Sequence, residues 1–229
     1  MYPILLKTPY FTIYSYGLCM ALAVMLAWLI SSRLSQRPPH SSSTAMDLLF
    51  IFFISGIFGA RFFYVLQHPS EYAAHPQAAF FLQEGGLVWY GGFLGAVSCG
   101  ALFMKWRRLP ILPWADFFSP ILALSQAVGR VGCYLNGCCF GREGHAVQLY
   151  EATILMAISL ALFVRFFRRK IDGEVFAFYL ICYGTARFAL EFLRGDQTAY
   201  GGLTLPQWIS LGALFFGTGL YGYLRRSHR

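Results

Sequence analysis

Charge is the scarcest property of this sequence. Only 12% of its 229 residues are charged, against roughly 25% in a soluble globular domain. So few charges cannot coat a water-soluble fold, and with 57% hydrophobic residues the chain has the composition of a membrane protein. At about 20 apolar residues per crossing, its length allows roughly six or seven spans and leaves no room for a sizeable soluble domain. Acidic residues are scarcer than basic ones, 10 against 18, for a net charge of +8. In a soluble protein that surplus would suggest nucleic acid. In a chain this apolar the positions of the charges carry the information, and no nucleic-acid partner is expected.

Other absences narrow the reading further. The N-terminal MYPILLKTPYF has a single lysine and no small-residue cleavage site after a short apolar core, so it is expected to be retained rather than removed as a signal peptide. No internal repeat or low-complexity segment is visible. No pair of interrupted helices recurs in two halves, which argues against a secondary transporter.

What is present is a series of apolar segments separated by breaker residues. Spans are expected near Ile13 to Leu34, Asp47 to Leu66, Leu87 to Met104, Phe117 to Leu135, Leu149 to Val164, Val175 to Leu193 and Leu205 to Leu224. The connections after the first, third, fifth and seventh carry Arg33 and Arg37; Lys105, Arg107 and Arg108; Arg165, Arg168, Arg169 and Lys170; and Arg225, Arg226 and Arg229. These connections hold 12 of the 18 basic residues. By the positive-inside rule they face the cytoplasm, with the N-terminus outside and the C-terminus in the cytoplasm. The expected fold is an all-α polytopic membrane protein of about seven transmembrane helices, forming a single integral membrane domain over residues 1–229.

The remaining basic residues are Lys7 and five arginines, Arg61, Arg130, Arg142, Arg187 and Arg194, which fall inside spans or at their outward ends. A charge at mid-helix costs ~2.5–3.5 kcal/mol on insertion scales and persists where it has a partner or a task. Arg187, Glu191 and Arg194 in ARFALEFLRGD are spaced i, i+4 and i+7, on one face of a helix. Arg61 lies in FGARFFY, where Gly59 and Ala60 permit close approach of a neighbouring helix. Gln148, Tyr150 and Glu151 open the fifth span. One reading is a set of buried Arg–Glu pairs that hold helices together. The other is an outward-facing pocket for an anionic headgroup, since guanidinium forks bind phosphate by paired hydrogen bonds. Two glutamates cannot neutralise five arginines in a low-dielectric interior, which favours the anionic ligand.

The stretch GRVGCYLNGCCFGR, Gly129 to Arg142, adds three cysteines to this polar set. Cys133, Cys138, Cys139 and His145 contain enough donors for zinc, but adjacent cysteines and a Cys-x4-Cys gap are unusual ligand spacings, so no metal is expected. On an oxidising face, Cys133 could pair with Cys138 or Cys139. Cys19, Cys99 and Cys182 have the character of small core residues. His68 and His75 are expected to be solvated. Tyr90, in VWYGGFLGA, and Tyr16, in IYSYGL, are either site residues or interfacial anchors.

Taken in order, IYSYGL, GARFFYVL, YGGFLGA, GRVGCYLNGCCFGR, HAVQLYEA and RFALEFLRGD, the last ending at Asp196, resemble the prolipoprotein diacylglyceryl transferase family. Its members are bacterial inner-membrane enzymes that move diacylglycerol from phosphatidylglycerol to the thiol of a lipobox cysteine. The resemblance implies the same seven-span topology, and a multi-pass location in the bacterial inner membrane. It also implies phosphatidylglycerol or a related anionic phospholipid and a prolipoprotein signal peptide as partners, within the bilayer and without a cofactor. Arg130 and Arg187 would be the essential arginines near the phosphate, supported by Glu191 and Arg194, with Tyr16, Asn136, Gly141 and Glu151 lining the same site. The chain departs from the family where His-Gly-Gly is usual and Tyr90 stands instead. It departs again where Cys133 replaces an asparagine and Cys138 an acidic residue. The stretch between the sixth and seventh spans is short, so the outer head region is expected to be reduced.

The chemistry that follows is attack of a thiol on the glycerol carbon bearing the phosphate. Arg130 and Arg187 would stabilise the leaving phosphate, and Arg142 and Asn136 would belong to the phosphate-recognising turn. His145 is the first candidate base because its ordinary pKa lies near working pH, and Tyr90 the second. Three other readings stay open on the residues alone: the same lipid donor with a different acceptor, a thiol-disulfide membrane protein, and a lipid-binding scaffold.

Overall fold

Proline, glycine and capping residues cut the apolar sequence into helices close to where hydropathy expects them. A computed structural model of the chain describes residues 2–8, 12–36, 40–74, 76–81, 85–195 and 199–228. Arg37, His75, Asp196 and Arg229 lie outside those residues. The order is β1 (Ile4–Lys7), β2 (Thr12–Tyr14), α1 (Ser15–Leu34), α2 (Ser42–Gln67), α3 (Pro69–Ala74), α4 (Trp89–Trp106), α5 (Ile111–Asn136), α6 (Val147–Arg168), α7 (Glu174–Glu191), β3 (Ala199–Tyr200), β4 (Leu203–Thr204) and α8 (Leu205–Ser227). Single 3₁₀ turns cover Pro76–Phe80 and Arg142–Gly144.

Each of the seven expected segments coincides with a helix of 18 to 26 residues. Among the described residues four of these, α1, α2, α5 and α6, are long and apolar enough by length and composition to cross a membrane. α7 falls short for a reason tied to the site, since Glu174, Arg187 and Glu191 all lie within it. The boundaries move where local chemistry dictates. Ile13 belongs to a strand, because β1 and β2 form an antiparallel hairpin pairing Ile4 with Tyr14 and Leu6 with Ile13. α5 starts at Ile111, well before the expected Phe117, because Pro113 falls in the first turn, where a missing N–H costs nothing. Pro120 does not end the helix. The Ser119 hydroxyl donates to the Ala115 carbonyl at 2.6 Å, and Ser159 of α6 donates to the Pro120 carbonyl at 2.8 Å.

The chain divides into two compact units, Met1–Ile30 with Leu112–Arg229 and Ser31–Ile111. In the second, α2 and α4 run antiparallel on a stripe of small residues. A Cβ at Gly91 would lie 2.5 Å from the Gly59 carbonyl oxygen, and one at Gly95 2.5 Å from that of Ser55. Small residues at such positions let helix backbones approach where lipid supplies no hydrophobic drive.

In the first unit, successive helices also pack antiparallel. Tyr16 and Cys19 of α1 lie on Gly132 of α5, while Ser125 reaches back to the Ala23 carbonyl. Gly184 and Gly217 let α7 and α8 close on each other. The end of this unit that carries the basic last turns of α6 and α8 is pinned by Asp116, which is fully buried. Its carboxylate accepts from the backbone N–H of Gly173 at 2.7 Å and of Phe176 at 2.8 Å, capping the N-terminus of α7. At the opposite end the backbone N–H of Tyr2 donates to the Leu135 carbonyl at 3.0 Å, and that of Ser15 to Pro3 at 3.0 Å. The hairpin is thereby fixed beside the C-terminus of α5.

Candidate functional site

The α5 C-terminus, α6 N-terminus, α7 C-terminus and α8 N-terminus meet at that same end, and their charged side chains form one alternating chain. Arg130 Nε of α5 lies 3.0 Å from Glu151 Oε2 of α6. Arg187 Nη1 of α7 lies 3.5 Å from the same oxygen, and Arg187 Nη2 lies 2.9 Å from Glu191 Oε2 one turn on. Arg194 Nε is 3.8 Å from Glu191 Oε2. Glu191 Oε1 accepts from the Thr204 hydroxyl at 2.9 Å. Thr204 is also the N-cap of α8, in a reciprocal box with Gln207. Glu151, Arg187, Glu191 and Arg194 are all buried, and the Arg130 side chain is 21% exposed. Three arginines against two glutamates leave one surplus positive charge.

The turn between α5 and α6 is built onto this chain. Gly137, at φ +79°, ends α5, and the backbone N–H groups of Gly137 and Cys138 both donate to the Cys133 carbonyl, at 3.0 and 3.1 Å. Further along, the Arg142 N–H donates to the Leu193 carbonyl at 2.8 Å, and Gly141 pairs with Arg194 in an antiparallel bridge. A side chain does not fit at Gly141, since a Cβ would strike Val147 and lie 2.6 Å from the His145 carbonyl oxygen. Gln148 is buried under the turn, its amide donating to the Cys138 carbonyl at 2.8 Å.

The reversal at Gly137 returns Cys138 and Cys139 over Cys133. All three are free thiols, so no disulfide joins Cys133 to either partner, and their Sγ atoms all lie within 4.8 Å of one another. Cys139 is a non-glycine residue at positive φ, +59°. A hydrogen bond from the Cys133 thiol, together with the nearby Arg194 and Arg130 charges, holds the Cys139 thiol well below its ordinary value.

Of the residues singled out from the sequence, Arg130, Glu151, Arg187, Glu191 and Arg194 meet directly, and Gly141 and Gln148 shape the turn beside them. The Tyr16 ring packs against Gly132, and its hydroxyl lies within electrostatic reach of Arg130 and the three thiols. Asn136 and Arg142 are exposed on the turn. His145 and Tyr150 are exposed as well, their ring centroids 6.3 Å apart. Arg61 and Tyr90 belong to the other unit. Arg61 is buried, and all its donors are taken by main-chain carbonyls: Nε by Ala79, Nη1 by Gly85 and Gly86, Nη2 by Ala78 and Phe81, at 2.6 to 3.2 Å. In this arrangement each of its N–H groups is engaged by the main chain of its own unit. Tyr90 packs edge-on against Trp89 at 5.4 Å and is exposed. His68 is half-buried rather than solvated, its ring stacked on Tyr64 at 4.2 Å.

Sequence reasoning passed over Tyr183 and Thr204. Tyr183 lies within electrostatic reach of Arg130, Glu151, Arg187 and Glu191. Its place four residues before Arg187, on the same helical face, was the available signal. Thr204 had a capping-box signal in its spacing from Gln207, but nothing local tied it to Glu191.

Residues 3–223 match the family described as prolipoprotein diacylglyceryl transferase. The chain belongs to this family. It is 30% identical over 250 residues to the phosphatidylglycerol–prolipoprotein diacylglyceryl transferase of Bordetella bronchiseptica, covering 98% of this chain and 95% of that one. The enzymes of the same name from Clostridium tetani and Streptococcus uberis are each 28% identical, over 240 and 252 residues. The first alignment covers 95% of both chains, and the second 99% of this chain and 96% of its relative. The matched residues include the charge chain and its turn.

Proposed function

We propose that the protein transfers a diacylglyceryl group from phosphatidylglycerol to the cysteine thiol of a prolipoprotein lipobox. The carrying observation is the buried chain Arg130, Glu151, Arg187, Glu191, Arg194, whose surplus of one positive charge complements the single negative charge of a phosphodiester. Family membership and the names of the relatives support the same donor and acceptor.

In this mechanism the acceptor sulfur attacks the glycerol carbon that bears the phosphate. A carbon–sulfur bond forms as the carbon–oxygen bond breaks, and glycerol phosphate leaves with the bonding pair. Arg130, the most exposed guanidinium of the chain, and Arg187 stabilise the charge developing on the phosphate, an effect worth about 3 kcal/mol per donor in a water-poor site. Glu151 and Glu191 orient these forks, and Tyr16, Asn136, Gly141, Arg142, Gln148, Tyr150 and Arg194 complete the surroundings of the headgroup. A free thiol of pKa about 8.5 is only slightly ionised near neutrality, so its proton passes to a base. His145 is assigned that role, with Tyr90 second.

The same reading takes the seven long helices as seven crossings of the bacterial inner membrane, N-terminus outside and C-terminus cytoplasmic. They form one integral membrane domain with a reduced outer head, and the charge chain lies at the outer leaflet. Its support is the separation, within the first unit, of the basic last turns of α6 and α8 from the end holding Arg130 and Glu151.

The test is transfer from phosphatidylglycerol to a lipobox peptide by the purified protein, with the thioether product followed by mass spectrometry. Wild type is expected to form it and Arg130→Ala to lose it. Folded wild-type protein that yields no thioether, or a lipid product on another acceptor, would overturn the assignment.

A further inference from the structure

The three cysteine thiols have no part in the transfer reaction as proposed, although Asn136, Gly141 and Arg142 of the same turn do. The geometry of the thiols is specific. α5 ends on Gly137, and positive φ at both Gly137 and Cys139 folds the chain back until Cys133, Cys138 and Cys139 bring their Sγ atoms within 4.8 Å of one another. Among the described residues no fourth histidine, cysteine or carboxylate joins this group. Four protein donors would be needed for a closed tetrahedral zinc site. A disulfide would use two sulfurs and strand the third. Three converging soft sulfurs instead match a thiophilic ion content with three ligands.

Dimensions and charge agree. With metal–sulfur bonds of about 2.3 Å, a planar three-sulfur site has sulfurs about 4 Å apart, so the thiols need to close by less than about 1 Å. Each sulfur is only half-buried, on or beside a turn, so that movement disturbs little packing. Three thiolates around a monovalent ion carry a net double negative charge, and Arg130 and Arg194, both within electrostatic reach of Cys139, offset it.

We propose that Cys133, Cys138 and Cys139 form a trigonal thiolate site for a soft monovalent metal ion of the copper(I) class. Each sulfur binds as thiolate, and any thiol protons still present pass to solvent as the metal–sulfur bonds form. This assignment does not rest on the transfer reaction, although Arg130 and Arg194 border both sites.

The experiment uses the full chain in detergent or nanodiscs, reduced with a phosphine without oxygen and titrated with Cu(I) alone against a chromophoric Cu(I) chelator. One Cu(I) per chain should be withdrawn from the chelator, with an ultraviolet sulfur-to-copper charge-transfer band. X-ray absorption should give a first shell of three sulfurs near ~2.3 Å, a result that needs no variant. Cys133→Ser, Cys138→Ser and Cys139→Ser should each lose the site, and Cys99→Ser should keep it. Any of four results overturns the proposal: no withdrawal from the chelator, a two-sulfur or nitrogen-containing shell, full binding by the triple serine variant, or tighter binding of Zn(II) than of Cu(I).

Discussion

Glu151 Oε2 lies 3.0 Å from Arg130 Nε and also meets Arg187 at 3.5 Å, so one carboxylate on α6 joins α5 to α7. Removing its charge leaves two guanidiniums repelling each other across a buried space. Glu151→Gln is expected to destabilise the protein by about 3 kcal/mol, the usual cost of leaving buried charge unpaired. Transfer should fall with it. Thermal unfolding in detergent and the thioether assay measure the two effects, and an unfolding midpoint equal to wild type would show that Glu151 does not hold the helices.

Arg130→Lys keeps the charge but loses the fork. A lysine offers a point charge in place of two parallel donors, so kcat/KM for transfer should fall by about 100-fold, in the range found for lost oxyanion donors. Stability should change little, because the Arg130 side chain is partly exposed. Kinetics at wild-type level would remove Arg130 from the phosphate.

At Gly141 the question is steric. A methyl group there meets Val147 and the His145 carbonyl, and overpacking of this kind costs about 1–3 kcal/mol. The strain falls on the bridge between Gly141 and Arg194, so Gly141→Ala should impair transfer more than its loss of stability accounts for. Activity measured well below the unfolding midpoint separates the two; proportional losses would count against this reading.

Arg61→Lys tests the part that residue plays in its own loop. Lysine cannot reach all five carbonyls that Arg61 serves, and a stranded acceptor costs up to about 1–3 kcal/mol where it is kept from water. Faster hydrogen exchange and protease cleavage are expected at Ala78 to Phe81 and at Gly85 and Gly86. If protection of that loop is unchanged, Arg61 does not organise it.

Asp116→Ala removes a buried carboxylate from two backbone N–H groups of α7, with an expected loss of about 3 kcal/mol. Because Asp116 lies at the end of the unit away from Arg130, thermal unfolding should register the loss while the KM for phosphatidylglycerol stays unchanged below the transition. A raised KM would mean that the two ends communicate.

Much of this was readable along the chain, because it depends on neighbours in sequence. Helix positions follow from apolar runs and breakers. The shared face of Arg187, Glu191 and Arg194 follows from helical spacing, and close approach of a neighbouring helix at Gly59 and Ala60 from their small size, though not that this neighbour is α4. The surplus of arginines reads as a pocket for an anionic ligand, and the structure brings three of the five arginines together with both glutamates. The membership of that cluster did not follow, since hydropathy gives a charged residue a depth but no partner. Arg61 and Arg130 look alike in sequence, each in a small-residue context within an apolar span. One is saturated by its own loop and the other faces Glu151.

The sequence by itself therefore determined the helices, the ends at which charge gathers and the motifs of the family, all set by local periodicity and composition. Only the tertiary structure decided which charges pair, that Thr204 of the α8 cap supports Glu191, and that three cysteines spread over seven residues converge. Those relations depend on how separate helices dock and on a left-handed turn at Gly137. Distances between elements are fixed by packing, which no single stretch of sequence contains.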